Sequence, residues 1–334
     1  MPDEAEGLEP QEIIELLEGA LLGGPPTLTS DEVAAKTGVS KEVARERWRA
    51  LGFTQVPDGE PAFTEADVHA MQLVERLLDL GLAQSENESA LIRTVGRGFA
   101  RLAEFEAGVI AQSLDLTTMG SDELAETLDE LMPLLEEVMC YVWRRHAVSA
   151  GARLALATIG DGGEAQMVAG FADIVGYTAR SRGMRPDELA SMVEEFEART
   201  VEIVGDHRGR VIKTIGDEVL YVADDPLDGA LIAMELLDLS EQREEFPELH
   251  IGLAYGPVLA RLGDVYGPVV NLASRLTSVA RPGRIVVDRH LAEVLMDRPE
   301  VRLRRMRRTP VKGYRLVEPW SLKRPRVVEN RSGE

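Results

Sequence analysis

The sequence predicts a multidomain α+β protein, with an all-α N-terminal domain and a C-terminal domain built on a ferredoxin-like α/β core. Apolar residues recur at helical spacing up to about residue 158. Beyond that point, short apolar runs bounded by Gly and Pro alternate with amphipathic segments, which indicates strands and helices in turn. These elements form two βαβ-like halves with antiparallel pairing, a pattern that fits a ferredoxin-like core better than a Rossmann sheet.

The length of 334 residues allows two domains, each with its own core. We place the helical domain at residues 1–137, a connecting helix and linker at 138–162, and the α/β domain at 163–334. The boundary follows from Asp161-Gly-Gly163, which is expected to end the connecting helix.

The composition, 44% hydrophobic and 28% charged, is typical of a soluble globular protein. No run of about 18 uncharged apolar residues is present, so no transmembrane helix is expected. Residues 1–7 are acidic and lack the basic and apolar regions of a signal peptide. Cys140 is the single cysteine, which excludes an intrachain disulfide and suggests a reducing compartment. The predicted location is the cytoplasm.

The net charge of -21 argues against generic nucleic-acid binding, and it is unevenly distributed. Residues 301–334 carry eleven Lys or Arg and three Glu, so the first 300 residues sum to -29 (-21 minus +8). This basic tail can help to hold an anionic substrate, pair with an acidic partner surface, or form a solvated strand face.

A helix-turn-helix is predicted at residues 29–52. Thr29 or Ser30 can cap its first helix, Gly38 suits the turn, and Ser40 can cap its second helix. The segments that follow, 51–53 and 63–68, resemble the wing and third helix of MerR-type DNA-binding domains. The second helix begins with three bases among which two acids lie, and the surrounding segment is acidic, which works against phosphate contacts. We therefore expect protein packing, and nucleic acid is not an expected partner.

Other helices are predicted at Gln11–Leu22, over residues 66–112 and from residue 121 onward. Gly81 and Gly96 or Gly98 mark breaks or close helix contacts. Residues 121–137 contain seven acids and no base, and Pro133 is expected to kink or divide their helix before the connecting helix begins.

The α/β domain is predicted to hold two hairpins among alternating helices and strands. The predicted elements are strand 167–172 ending at Asp173, helix 174–179, helix 186–206, hairpin 210–215/218–222, helix 226–243, hairpin 250–255/259–262, helix 268–279, strand 284–287 and a strand pair within 300–320.

Two acids follow or join strands of this domain. Gly216-Asp217 forms the turn of the first hairpin, with Lys213 four residues earlier, and such an acid suits a divalent metal and a phosphorylated substrate. Asp173 ends a strand and precedes backbone amides that can hold phosphate. Asp173 and Asp217 on adjacent strand ends can bridge two Mg²⁺ ions, which favour carboxylate oxygens. Either acid alone is equally well explained as a cap or turn residue.

A third element, Gly263–Arg275, carries Asn271 and Arg275 four residues apart on one face of a predicted helix. An amide and a guanidinium there can orient a ribose and stabilise charge on a phosphoryl group.

Together these motifs, in this order and spacing, resemble class III nucleotidyl cyclases over about residues 163–320. The resemblance implies a class III cyclase catalytic domain that uses two Mg²⁺ or Mn²⁺ ions per site. It assigns the metal to Asp173, Ile174 and Asp217, the purine to Lys213 and Asp264, catalysis to Asn271 and Arg275, and the phosphates to Ile174, Val175, Gly176, Tyr177, Thr178 and Lys312.

The purine pair favours ATP over GTP. Adenine offers an acceptor at N1 and an amino donor at C6, which a lysine donor and an aspartate acceptor complement, whereas guanine reverses both groups. The resemblance implies that the ATP 3′-oxygen attacks the α-phosphorus, so that 3′,5′-cyclic AMP forms and pyrophosphate leaves. It also implies a homodimer with composite sites, in which Asp217 serves one site and Lys213 the other.

The helical half resembles the regulatory domain of actinobacterial two-domain cyclases, some of which respond to pH. His146 lies in the connecting helix beside two arginines, and its protonation is one candidate signal. A small molecule or lipid held between the apolar helices is another. Two rival functions remain open: a degenerate cyclase domain that acts as a signalling or DNA-binding module, and a GGDEF-type dinucleotide cyclase, whose signature turn is absent.

Overall fold

The computed structural model describes residues 8–81, 85–115, 118–159, 165–243, 245–261, 263–311 and 313–325. The chain divides into two compact units, residues 1–155 and residues 156–334, which we call unit 1 and unit 2. Among the described helices, none has the length and hydropathy needed to span a bilayer.

Unit 1 is helical throughout its described part, as the periodicity predicts. Its helices are α1 (Pro10–Leu22), α2 (Ser30–Thr37), α3 (Lys41–Leu51), α4 (Glu65–Asp79), α5 (Ser85–Ser113) and α6 (Ser121–Ile159).

The α2–α3 pair has the predicted helix-turn-helix form. The Thr29 hydroxyl accepts a hydrogen bond from the Glu32 amide, and the Ser40 hydroxyl accepts one from the Val43 amide. Gly38, with φ 73°, makes the turn between the helices. α5 lies close to the end of α3 at Gly96, where a Cβ atom would lie 2.2 Å from the carbonyl oxygen of Leu51.

Three of the four bases of α3 are paired with acids of unit 1. Lys41 pairs with Asp31, and Arg45 pairs with Asp58. Arg47 is buried and pairs with two glutamates, Glu75 and Glu88. Because these charges are already matched, the pairing supports the expected role in protein packing.

Of the two effects predicted for Pro133, a kink or a division, the division does not occur, since α6 runs without interruption through Pro133 and into the predicted connecting helix. Packing explains the continuity. Leu124, Leu128 and Met132 are buried in a core formed with α1 and the end of α5. This burial outweighs the roughly 3 kcal/mol that an internal proline costs a helix. The predicted stop at 161–163 lies outside the described residues.

The second half of α6 carries an apolar stripe that the single chain leaves exposed. Leu134, Val138, Tyr141 and Val148 follow intervals of four, three and seven residues, with Arg145 at the intervening position. The exposed fractions of these four apolar side chains are 57%, 59%, 61% and 67%, in chain order. We call these five residues the α6 stripe; their spacing is that of a coiled-coil seam.

Unit 2 contains a seven-stranded sheet in the order β2-β3-β1-β4-β7-β11-β8. The elements are β1 (Gln166–Ile174), α7 (Tyr177–Arg180), α8 (Pro186–Asp206), β2 (Arg210–Ile215), β3 (Glu218–Ala223), α9 (Pro226–Gln242), β4 (Leu249–Pro257), β5 (Leu259–Arg261), β6 (Asp264–Tyr266), α10 (Pro268–Val279), β7 (Arg284–Val287), α11 (Arg289–Leu295), β8 (Arg302–Arg305), β9 (Thr309–Val311), β10 (Tyr314–Val317) and β11 (Trp320–Lys323). The first four strands, in the order β2-β3-β1-β4 with helices after β1 and β3, confirm the ferredoxin-like core.

The two faces of the sheet are covered by different helices. Side chains of β1 alternate between them: Val168, Ala172 and Ile174 pack with α8, α9 and α11, whereas Ala169 and Phe171 pack with α10. Asp173 continues this alternation, so it lies on the face that α10 covers.

Three local predictions for unit 2 are wrong. β1 extends to Ile174, because β3 and β4 pair with it on both sides, and only the four-residue α7 follows. β5 does not pair with β4, whose two edges are taken by β1 and β7; it pairs with β6 instead. The predicted strand pair at 300–320 is four short strands, of which β8 and β11 join the main sheet.

Candidate active site

The end of β1 and the β2–β3 turn bring Asp173 and Asp217 side by side. Gly216, with φ 66°, makes the two-residue turn that exposes Asp217 between the strands. The amide of Ile174 donates to the carbonyl oxygen of Asp217 at 3.1 Å, which fixes this turn against the end of β1.

Negative charge is concentrated at this position. Burial and the neighbouring Asp173 carboxylate raise the pKa of Asp217. Glu218, opposite Asp173 in the strand register, shares its face of the sheet. Burial, together with the charges of Asp173 and Asp217, raises the pKa of Glu218 to about 7. We call Asp173, Asp217 and Glu218 the carboxylate cluster.

His250 on β4 is a site residue that sequence reasoning missed. It lies opposite Asp173 in the register, and its Nε2 atom is 2.7 Å from Asp173 Oδ2. The hydrogen bond with Asp173 raises the pKa of His250. Cross-strand pairing places both His250 and Glu218 beside Asp173, and no local sequence motif indicates that pairing.

The donor set suits a divalent cation. Within the described residues, no group of three or more His, Cys, Asp or Glu side chains has the geometry of a complete metal centre. However, the half-buried Asp173 and Asp217 carboxylates repel each other, and a hard cation such as Mg²⁺ prefers carboxylate oxygens and relieves that repulsion. The chemistry of the two aspartates therefore fits the predicted metal.

The raised pKa of Glu218 predicts a pH-dependent loss of stability in metal-free protein. Its pKa exceeds the ordinary value of 4.5 in the folded state, so stability falls as pH rises from about 4.5 to about 7 and stays lower above that. Glu218→Gln removes this loss. In EDTA, urea unfolding gives the free energy of unfolding of both proteins. We expect the variant's advantage over wild type to be about 1 kcal/mol larger at pH 8 than at pH 5.

The matched control is Glu194→Gln, at an exposed position on α8. It should change stability equally at both pH values. A Glu218→Gln effect that is also the same at pH 5 and pH 8 would contradict the assignment of the pH dependence to the carboxylate cluster.

Lys213 and Asp264, the predicted purine pair, contact each other. Lys213 Nζ donates to Asp264 Oδ2 at 2.6 Å, and Asp264 Oδ1 accepts the amide of Val265 at 2.8 Å. Burial alone would raise the pKa of Asp264, but the hydrogen bonds from Lys213 and the Val265 amide, together with the lysine charge, lower it. The register of β2 against β3 shifts between Val211 and Lys213, and such a bulge redirects the side chains that follow it.

Asn271 and Arg275 lie on α10, four residues apart. α10 packs against β4 because position 252 is glycine: a Cβ atom there would lie 2.2 Å from the amide nitrogen of Thr277. Asn271 is exposed and Arg275 is half-buried. No side-chain hydrogen bond or ion pair joins either of them to another residue in the part of the chain that the structure describes.

The predicted phosphate segment is narrower than expected. The amides of Ile174 and Val175 already donate to the carbonyl oxygens of Asp217 and Glu248, at 3.1 and 2.8 Å. These two amides are therefore already hydrogen-bonded. The predicted phosphate-binding residues whose amides remain are Gly176, Tyr177 and Thr178, at the start of the short α7.

Two further predicted residues add no contact. Lys312 lies outside the described residues. His146 is exposed on α6, and no hydrogen bond or ion pair joins its side chain to another described residue. Its regulatory role stays a prediction.

The chain is similar to known nucleotidyl cyclases. Residues 164–324 match the family described as the adenylate and guanylate cyclase catalytic domain. An adenylate cyclase of Glutamicibacter nicotianae is 37% identical over 92% of this chain and 81% of its own length. An adenylate cyclase of Streptomyces coelicolor is 37% identical over 92% and 89%. A pH-sensitive adenylate cyclase of Mycobacterium tuberculosis is 30% identical over 90% and 77%.

The first two relatives align with nearly the whole chain, and the family match contains every predicted catalytic, purine and metal residue, from Asp173 to Arg275. The chain therefore belongs to the adenylate and guanylate cyclase family.

Proposed function

We propose that this chain is an adenylyl cyclase that converts ATP to 3′,5′-cyclic AMP and pyrophosphate. The observation that carries the proposal is the adjacency of Asp173 and Asp217, fixed by the hydrogen bond from the Ile174 amide to the Asp217 carbonyl oxygen. The names of the relatives support adenine as the base, and so does the Lys213–Asp264 pair.

Each residue group has a separate task in the proposed reaction. Asp173 and Asp217 would hold two divalent cations, which would supply positive charge to activate the 3′-hydroxyl and to neutralise the phosphates. Lys213 donates to adenine N1, and Asp264 accepts from the 6-amino group. Asn271 orients the ribose, and Arg275 places its charge on the phosphoryl group as negative charge develops there.

The proposed enzyme is a homodimer with two composite sites. Asn271 and Arg275 make no side-chain hydrogen bond or ion pair with the carboxylate cluster of their own chain, although all these residues are described. A second copy can supply them to the metal site, as an isologous interface repeats each contact twice.

The α6 stripe supports the dimer independently. Its exposed apolar residues recur at the 3.5-residue average of a heptad seam, which a second α6 would cover. A helical dimer that is joined through the chain to two cyclase domains can set the angle between them, so we propose that unit 1 gates catalysis.

Product analysis tests the proposed activity. Purified protein with Mg²⁺ or Mn²⁺ is expected to release cyclic AMP and pyrophosphate from ATP, with much slower turnover of GTP, as identified by mass over pH 5.5 to 8. Absence of a cyclic product with every metal and nucleotide would contradict the proposal and favour a cyclase-like signalling module.

The regulatory signal is proposed to be pH, read by His146. Histidine is the side chain type that most often changes its charge within the physiological pH range. Arg144 and Arg145 lie beside His146, so its protonation adds a third positive charge to one turn of α6. The relative named as pH-sensitive supports this reading, whereas a small-molecule or lipid ligand in unit 1 is the alternative.

His146→Ala is expected to flatten the pH–activity profile between pH 5.5 and 8 and to leave the activity at its optimum within about twofold, since His146 belongs to no catalytic group. His69→Ala, on α4, is the matched control and should leave the profile unchanged. An unaltered pH–activity profile in the His146 variant would contradict the proposal that this residue senses pH.

A further inference from the structure

Three strands at one edge of the main sheet share a face that carries basic side chains. Arg302 lies opposite Lys323, and Arg304 lies opposite Ser321, which in turn lies opposite Val286. Directly opposed residues point to the same face of a sheet, so bases from β7, β8 and β11 come together. The basic patch consists of the bases there that have no ion pair with a described residue: Arg281, Arg284, Arg302, Arg304, Arg307 and Lys323. Arg305, which pairs with Glu318, lies beside them.

The basic patch lines a concavity of about 510 Å³. This volume is in the range of small-molecule sites, roughly 300–1,000 Å³. The described residues that line it include no acid and no aromatic ring. A ligand there meets positive charge and hydrogen-bond donors, with no ring surface on which a base can stack.

The six bases of the patch are exposed, and none has an ion pair with a described residue. Their neighbours along the chain differ: Arg305 and Arg308 both pair with Glu318, and Arg324 pairs with Asp238. Like charges directly opposite each other in a sheet are destabilising, as Arg302 and Lys323 are here. A bound anion removes that repulsion.

We propose that the basic patch binds a compact polyphosphate anion, either free tripolyphosphate or the triphosphate chain of a nucleotide. Five of its six bases are arginine, whose planar fork suits phosphate oxygens. The lack of an aromatic surface indicates recognition of phosphates rather than of a base. A long nucleic acid fits poorly, since the first 300 residues sum to -29.

This site is separate from the carboxylate cluster. Arg284 lies opposite His250, and His250 lies opposite Asp173, so the nearest patch residue is two strands from the metal site. Two strand spacings are about 10 Å. The patch therefore contains none of the proposed metal, purine or catalytic residues.

Calorimetric titration of the full chain with tripolyphosphate in EDTA tests the proposal. Wild type is expected to bind one tripolyphosphate per chain, and the double variant Arg302→Gln/Arg304→Gln should bind at least tenfold more weakly. The control Arg289→Gln/Arg308→Gln makes the same change in net charge at exposed, paired arginines outside the patch and should stay within twofold of wild type. Parallel titration with ATP, compared between wild type and Arg302→Gln/Arg304→Gln so that binding at the proposed substrate site cancels, distinguishes the two sources: a patch-dependent affinity equal to that for tripolyphosphate supports the free anion, and a tenfold tighter one supports a nucleotide.

Three outcomes would overturn the proposal: no saturable binding by wild type, equal weakening in both double variants, or tighter binding of hexaglutamate than of tripolyphosphate. The last would identify a docking surface for acidic protein segments. If circular dichroism shows that Arg302→Gln/Arg304→Gln fails to fold, Arg281→Gln/Arg307→Gln replaces it, because both positions lie outside the strands.

Discussion

Chains with Asp173→Ala and chains with Asn271→Ala, each inactive alone, are expected to regain activity when mixed. The Asn271 variant keeps an intact metal site, and the Asp173 variant can supply an intact α10 to it. In a random mixture half the dimers are mixed, and each of those has one complete site of two, so recovery to about a quarter of wild-type activity is expected. Asn271→Ala alone should lower kcat on the order of 10²–10³-fold, as loss of one transition-state donor does.

The control for this experiment is a mixture of Asp173→Ala with Asp217→Ala. Both substitutions damage the metal site, so no mixed dimer has a complete one, and cyclic AMP formation should stay at the level of either variant. Recovery in the control mixture, or none in the Asp173–Asn271 mixture at concentrations where wild type is dimeric, would show that the sites are not shared between chains.

Lys213→Glu with Asp264→Cys is expected to reverse the preference between purines. The 2.6 Å contact shows that these side chains meet, and their donor and acceptor match adenine. In the variant, the glutamate accepts from guanine N1–H, and the acceptor that opposed guanine O6 is gone. The ratio of kcat/KM for ATP to that for GTP should fall by roughly 10²-fold or more, because sites built around hydrogen bonds discriminate strongly.

The Arg210–Asp224 ion pair provides a matched control, since it lies on the same hairpin. Arg210→Gln with Asp224→Asn should leave the purine ratio unchanged. An equal fall of the purine ratio in the two double variants would show that the effect comes from damage to the hairpin. An unaltered ratio in the Lys213–Asp264 variant would show that these residues do not recognise the purine.

Local signals in the sequence were sufficient for much of unit 2. The Gly216-Asp217 turn joins β2 and β3 as predicted, because a two-residue turn with glycine at positive φ fixes the register of its strands. The bounds of α8 and α10 also match their predictions, since each begins with proline and has a regular apolar face.

What the sequence did not supply depends on pairing between distant strands. His250 and Asp173 are 77 residues apart, and only the β1–β4 register brings them together. The same limit explains β5, since its apolar run gives no sign that both edges of β4 are already paired. The register between strands that are distant in sequence is thus not contained in local motifs.

The length of α6 has a consequence for how this chain can change by insertion or deletion. At about 1.5 Å and 100° per residue, its 39 residues form a continuous rod of about 58 Å. Loss of one residue from its second half would turn all that follows by about 100°, whereas loss of seven would restore the angle to within about 20°. Angular phase therefore limits the permitted lengths of this helix, and variants that differ by seven residues should be tolerated better than those that differ by one or two.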